Sequence, residues 1–274
     1  LFSKEKTDVF CIGKTNLDIF YYIDKIQIEE NHVANNFAYF PGGKATNVAI
    51  NLANLGLKVT LISTIADDIF GRYIKEKLEN ILMFKPQIVK NENTALTSIV
   101  VEDSGANTMF HNLGANQFLS SQAIPDNMNF AFIQTGIPQE TLIKSLQSSK
   151  TAFVELSETS QFEILKNFSA EYVSLNKDEL IKIFKEENIE KNLAKLSHFA
   201  KHIVLKMGKE GIIYAGDTII RKKAKSVKVI NTAGAGDAVS AAFIYGTING
   251  WEIEKTLDFC IEFASEKIQS IYST

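Results

Sequence analysis

Short apolar runs separated by helical patterns set the rhythm of the chain. Residues 9–12, 59–65, 130–133, 152–155, 172–175 and 202–205 are rich in Val, Ile, Leu and Phe and read as buried strands. After the first of them, Ala45, Val48, Ala49, Leu52 and Leu55 recur at helical spacing and stop at Gly56, a residue suited to end a helix. Asp67-Asp68 lead a second helix through about residue 82, and the later runs are spaced widely enough for helical crossovers. Such alternation predicts a mostly parallel sheet covered on both faces. Strands at 212–214 and 218–220 flank the turn Ala215-Gly216-Asp217, residues 227–230 read as a further strand, and helices over 234–249 and 253–268 close the pattern. Two segments break the rhythm. Residues 17–28 and 37–40 alternate partially before Pro41-Gly42-Gly43, and 96–101 with 108–111 form a hairpin turned at Ser104-Gly105. The expectation is one α/β domain over residues 1–274, with a small β appendage inserted from about 14–40 and 94–112.

Composition narrows the function. With 274 residues, 45% hydrophobic, and 29 Lys+Arg against 32 Asp+Glu, the chain is that of a globular protein. A net charge of −3 gives no electrostatic footprint for nucleic acid, and no apolar run is long enough to span a bilayer, so neither partner is expected. Cys11 and Cys260 lie in apolar stretches and read as free thiols in a reducing compartment. The charged start Leu1-Phe2-Ser3-Lys4-Glu5-Lys6 does not resemble a secretion signal, and a cytoplasmic location is expected.

Two glycine-containing segments carry the candidate chemistry. Asn231-Thr232-Ala233-Gly234-Ala235-Gly236-Asp237 opens a long helix with an apolar interior. Glycines at a helix start let backbone N–H groups approach an anion, and the helix dipole adds positive potential. A carboxylate in that first turn repels a bound phosphate unless a metal or a proton transfer accounts for it. A base beside a phosphate pocket is what phosphoryl transfer to a hydroxyl requires. The bland alternative is that the two glycines pack the helix on the sheet while Asp237 favours its N-terminus. Pro41-Gly42-Gly43-Lys44-Ala45-Thr46-Asn47 offers a second glycine pair before a helix, with Lys44 and Asn47 able to face one ligand; taken alone it is a turn with a surface lysine. Gly13-Lys14-Thr15 lacks the upstream glycine of a phosphate-binding P-loop, since Asp8 stands there. Gly234-Ala235-Gly236 lacks the third glycine of a dinucleotide fingerprint. His198 and His202 lack the glutamate of the zinc-protease pattern and read as ordinary boundary histidines.

Together the two segments closely resemble the paired signatures of the ribokinase-like (PfkB) family of carbohydrate kinases. Between them, Asp68-Ile69-Phe70-Gly71 resembles the family's D-x-x-G stretch, Gly114-Ala115-Asn116 its G-A-N stretch and Asn176-Lys177-Asp178-Glu179 its N-x-x-E motif, with Gly208 to Gly211 like its glycine turn. The resemblance implies a three-layer αβα Rossmann-like domain with a β-sheet lid, commonly dimeric through the lids, that uses ATP and Mg²⁺ to phosphorylate a sugar-like alcohol. It implies Asp237 as the base, with Gly234, Ala235 and Gly236 forming the anion hole. Asn16, Asp18, Gly42, Gly43, Lys44 and Asn47 would hold the acceptor, and Asn176, Lys206, Gly208, Gly211 and Thr232 the ATP. Glu179 would hold Mg²⁺ through water.

The departures from the family pattern bear on cofactor and acceptor. Asn231 stands where most members carry an aspartate that helps hold an activating monovalent cation, and the sequence stops at Thr274 before the usual final helix, which weakens a potassium requirement. Gly136 replaces a ribokinase-like glutamate that contacts the sugar, and Lys206 replaces a common threonine. Only Arg72 and Arg221 occur, neither in a matched pocket segment, which argues against a sugar phosphate. Ribose or fructose leads as acceptor, ahead of a nucleoside or pseudouridine and then a sugar phosphate; a non-catalytic relative of the fold is the reading from another class.

Overall fold

The computed structural model describes residues 6–168 and 170–270. Its strands are β1 (Val9–Ile12), β2 (Asn16–Ile23), β3 (Asn36–Gly42), β4 (Val59–Ala66), β5 (Met83–Val89), β6 (Leu96–Glu102), β7 (Asn107–Asn112), β8 (Met128–Gln134), β9 (Ser149–Glu155), β10 (Ala170–Asn176), β11 (Ala200–Lys206), β12 (Ile212–Ala215) and β13 (Ile219–Lys222). Its helices are α1 (Lys44–Asn54), α2 (Ile69–Glu79), α3 (Gln139–Ser148), α4 (Phe162–Leu165), α5 (Lys177–Phe184), α6 (Ile189–Leu196), α7 (Ala235–Ile248) and α8 (Ile253–Lys267).

Nine strands form the main sheet in the order β13-β12-β11-β10-β9-β8-β1-β4-β5. The pairs from β11 to β5 are parallel, and β12 and β13 continue the sheet antiparallel. Side chains alternate between faces along a strand, so β1 sends Val9 and Cys11 into one core and Ile12 into the other. The first core takes Val48, Leu52, Ile74, Phe243 and Leu257 from α1, α2, α7 and α8. The second takes Leu142, Leu165, Leu180 and Leu193 from α3 to α6. These are the three layers the alternation predicts. Chain order runs outward from β1 in both directions, and an open parallel sheet binds ligands beyond the carboxyl ends of its strands at such a switch point.

The two sequence-distant β pieces meet in one four-stranded sheet, β3-β2-β6-β7, joined by the parallel pair β2 and β6. Phe20, Ile99 and Val101 fill its inner face, with Phe20 stacked on Phe40 at 4.9 Å and Ala233 packed alongside. Tyr21, Phe37 and Tyr39 remain exposed on the sheet.

Three local expectations need correction. The helix expected to reach residue 82 ends at Glu79, and residues 83–89 form β5, a strand the hydrophobic pattern hides behind Pro86. β5 is an edge strand, where a missing N–H is tolerated. Residues 227–230 are not a strand. Val227 and Val229 instead line a cavity beside α7 and α8, and Ile230 N donates to Ile268 O. Residues 1–5, most of the charged start, and residues 271–274 lie outside the described residues. Among the described residues no helix is long and apolar enough to cross a membrane, and both cysteines are buried.

Candidate active site

The chain leaves β1 and enters β2 at the switch point, which brings Asn16 and Asp18 under the small sheet. Gly42 makes the close approach possible: a Cβ there would stand 1.9 Å from Asp18 Oδ2. Burial pushes the Asp18 pKa up to about 6, aided by the charge of Asp237 and opposed by hydrogen bonds from Thr97, Asn16 and the Gly43 backbone. Asn16 is held from both ends, Nδ2 donating to Thr97 Oγ1 at 3.1 Å and Oδ1 accepting from Asn116 Nδ2 at 2.9 Å. Asn16, Asp18 and Thr97 line a cavity of about 410 Å³ together with Gly43, Lys44, Asn47 and Asp237, while Gly42 and Asn116 do not border it. Asp18 Oδ1 and Asn47 Oδ1 are buried there without a hydrogen-bond partner. Buried acceptors without donors suit a ligand rich in hydroxyls.

The start of α1 meets the start of α7 at the cavity's inner end. Gly234 caps α7 with φ of 77°, and Asp237 sits in the first turn, only 5% exposed. Asn47 Nδ2 donates to Asp237 Oδ2 at 2.8 Å, and Lys44 Nζ stands 3.8 Å from Oδ1. Burial raises the Asp237 pKa above the carboxylate range, with Lys44 and Asn47 restraining the rise. For Lys44, burial disfavours the charge, but Asp237, Glu155 and Glu179 outweigh it and hold the ammonium above its ordinary pKa.

On the other side of the α7 start lies a second cavity of about 540 Å³. Ala235, Gly236, Thr232, Lys206, Gly208 and Gly211 border it, and Val227, Val229, Val239, Ile261 and Ala264 supply an apolar wall. A helix N-terminus beside an apolar slot fits a phosphorylated ligand with a flat base. Lys206 is fixed at the end of β11 by Glu155, Nζ to Oε1 at 2.5 Å, and Ser240 Oγ donates to Glu155 Oε2 at 2.9 Å. Burial works against the Glu155 charge, yet Lys206 and Lys44 hold its pKa below the usual range.

Asn176 and Glu179 border neither cavity. They form a capping box at α5: Asn176 Oδ1 accepts from Glu179 N at 2.8 Å, and Glu179 Oε2 from Asn176 N at 2.7 Å. Glu179 nevertheless lies within the field of Glu155, Lys44 and Lys206, and burial raises its pKa. Among the described residues no three His, Cys, Asp or Glu side chains converge as a metal cage.

Sequence reasoning missed Glu155, Ser240, Thr97, Asn116 and Lys14. Glu155 had a legible signal, a carboxylate ending a buried apolar strand, since such groups are buried only when paired. Asn116 was quoted within a motif but given no role; it orders the β1–β2 turn, with Oδ1 accepting from Thr15 N at 3.1 Å. Thr97 carried no signal of its own, because only the pairing of β2 with β6 brings it to Asp18.

Fold and site together define a nucleotide-dependent type of α/β enzyme. Residues 6–274 match the model of the pfkB family of carbohydrate kinases, and the chain belongs to that family. It is a sugar kinase, a phosphotransferase acting on an alcohol group. A 5-dehydro-2-deoxygluconokinase of Clostridium tetani is 28% identical over 293 residues, covering 93% of this chain and 85% of that protein. A ribokinase of Lactococcus lactis is 24% identical over 279 residues, covering 96% and 91%. Among solved structures, a ribokinase of Thermotoga maritima superposes with a TM-score of 0.85 at 23% identity, covering 97% of this chain and 94% of that one. An adenosine kinase of Sinorhizobium meliloti reaches 0.87 at 21% identity, covering 98% and 95%. These structural likenesses concern the fold.

Proposed function

We propose that this sugar kinase transfers the γ-phosphoryl group of ATP to a hydroxyl of a monosaccharide-sized acceptor, with Asp237 as general base. The observation that carries the proposal is the buried Asp237 carboxylate, bonded by Asn47 and faced by Lys44 at the helix start shared by both cavities. The acceptor occupies the cavity of Asn16, Asp18, Gly43, Lys44 and Asn47, with Gly42 packed behind Asp18, and Asp18 Oδ1 and Asn47 Oδ1 accept from its hydroxyls. ATP occupies the other, its phosphates toward Gly234, Ala235 and Gly236 and its base against the apolar wall, with Lys206, Gly208, Gly211 and Thr232 along its border. Solved relatives titled as ribokinases with ADP, or with ribose and ATP, support nucleotide use.

In the transfer, the acceptor oxygen forms a bond to the γ-phosphorus while the bond from that phosphorus to the β–γ bridging oxygen breaks, and ADP leaves with the electron pair. The hydroxyl proton passes to Asp237. Its raised pKa makes the carboxylate a better base than a solvated one, while Lys44 helps keep it ionised until the proton arrives. The backbone N–H groups of Ala235, Gly236 and Asp237 face the transferring group, where fixed dipoles act without reorganisation. Mg²⁺ would neutralise the ATP phosphates, and Glu179 would reach it through water while Asn176 keeps that carboxylate in place. Asn231 Oδ1 accepts from Ala233 N at 2.9 Å within the loop, and the proposal assigns no potassium role. The chain forms one kinase domain on this reading, with β2, β3, β6 and β7 as its lid; the exposed Tyr21, Phe37 and Tyr39 support pairing of two lids.

The relatives' names support ribose and a deoxy-keto sugar acid as acceptors, and fructose rests on the sequence alone. Mg-ATP with a panel of pentoses, hexoses, sugar acids and nucleosides tests the proposal. ADP release that requires one class of acceptor, with a phosphate monoester on it by ³¹P NMR, is the expected result. ATP binding without ADP release for every acceptor would overturn it.

A further inference from the structure

One cation in the acceptor cavity has no carboxylate within ion-pair distance among the described residues. Lys14, rejected above as part of a P-loop, lines that cavity together with Asn16, Asp18 and Lys44. Its backbone is tied down, N donating to Gln134 Oε1 at 3.0 Å and O accepting from Thr46 Oγ1 at 3.4 Å. The side chain runs to Gly136. A Cβ built there would stand 2.6 Å from Lys14 Nζ and 3.2 Å from Cε. Gly136, at φ of 85°, therefore gives the ammonium the space that any other residue would fill.

The charges around the cavity pair off unevenly. Lys44 faces Asp237, and Lys206 is consumed by Glu155. Asp18 is surrounded by the polar groups of Thr97, Asn16 and the Gly43 backbone, which favour its charge, and by no cation at ion-pair distance among the described residues. Among the described residues no carboxylate lies within ion-pair distance of Lys14 Nζ. Glu158, whose charge acts on Lys14, spends Oε1 on the Ser160 backbone N at 3.2 Å and hydroxyl at 2.8 Å. Burial lowers the Lys14 pKa and Lys44 adds to the lowering, against Glu158. A partly buried lysine without a paired anion, beside a second lysine, is a state that a bound anion relieves.

We infer that the acceptor of this kinase carries an anionic group, seated on Lys14 at the Gly136 end of the cavity, opposite the hydroxyl delivered to Asp237. The inference rests on the acceptor site proposed above. A carboxylate suits the site better than a phosphate ester: one lysine balances one charge, whereas a phosphate near −2 is usually met by an arginine fork, and neither arginine lines the cavity. Lys14 is on this account a specificity residue, discriminating a sugar acid from the neutral sugar of the same length.

The test compares hexonates (D-gluconate and a keto-deoxyhexonate) with D-glucose, D-fructose and D-ribose, and with glucose and fructose 6-phosphates as a separate arm. It uses wild-type enzyme, Lys14→Met and Lys14→Arg, with thermal melting to confirm that both variants fold. The wild type is expected to favour an acid over its neutral partner by at least about tenfold in kcat/KM. Lys14→Met should erase that preference through KM, and Lys14→Arg should restore it. Calorimetry of the acid with the Asp237→Asn protein should show the same order of affinity without turnover. A Lys14-dependent preference confined to the sugar-phosphate arm keeps the anion and makes it a phosphate. Neutral sugars turning over as well as or better than both anionic arms, with Lys14→Met unchanged, would overturn the inference while leaving the kinase reading intact. Silence in every arm, with ATP bound, would instead count against the kinase reading itself.

Discussion

The two cavities on either side of the α7 start are built on opposite principles. On the nucleotide side the buried charges are closed among themselves: Lys206, Glu155 and Ser240 satisfy one another, and the rest of the wall is largely apolar. On the acceptor side the polar groups are left open, with Asp18 Oδ1 and Asn47 Oδ1 buried and unpaired and no carboxylate among the described residues within ion-pair distance of Lys14. Those two oxygens are among five such unpaired side-chain atoms in the described residues, and they are the two that line a cavity where a ligand could supply donors. The closed side contributes to the fold; on the proposed function the open side keeps its interactions for the substrate.

The sharpest way to break this contrast is to open the closed side. Lys206→Met leaves Glu155 buried without its cation and should destabilise the protein by about 3–5 kcal/mol, read from denaturant midpoints. The double variant Lys206→Met/Glu155→Leu should recover most of that loss. A single variant as stable as wild type would show that the pair is not a structural unit.

On the open side the same kind of change should cost function and spare the fold. Asp18→Asn removes a charged acceptor of hydroxyl donors, an interaction of about 1.5–3 kcal/mol, and should lower acceptor kcat/KM about 10–100-fold. The melting temperature should move little, because the lost charge was itself disfavoured by burial. Equal losses of stability at Asp18 and Lys206 would erase the distinction between the two sides.

A smaller effect comes from pH. Asp18, with its pKa near 6, is protonated below that value and loses acceptor strength there. Acceptor kcat/KM should therefore rise as pH increases through about 6, and Asp18→Asn should remove the Asp18 contribution, leaving only the acid limb of the Asp237 base. ATP affinity measured without acceptor should stay level over the same range.

The layered fold was legible because its signal is local: β-branched runs and helical spacing mark the strands and helices wherever burial is two-sided. β5 escaped because Pro86 and an edge position blur its pattern. Residues 227–230 misled for the opposite reason, since apolar side chains lining a cavity imitate a strand. The glycine segments disclosed the α1 and α7 starts and thus Lys44, Asn47 and Asp237. What local sequence could not disclose was charge balance. The pairing of Lys206 with Glu155, the bonds that close Asn176 and Glu179 into a capping box, and the isolation of Lys14 depend on which strand ends lie side by side.

The central claim is that Asp237 serves the chemical step at the boundary between two separately bound substrates. Single-turnover transfer, with enzyme in excess over labelled ATP and a saturating acceptor, tests it most directly in Asp237→Asn, alongside equilibrium binding of ATP and acceptor. The account predicts transfer slowed by about 10²–10⁴-fold with ATP affinity unchanged. Transfer close to the wild-type rate, or a loss explained entirely by weaker ATP binding, would contradict it.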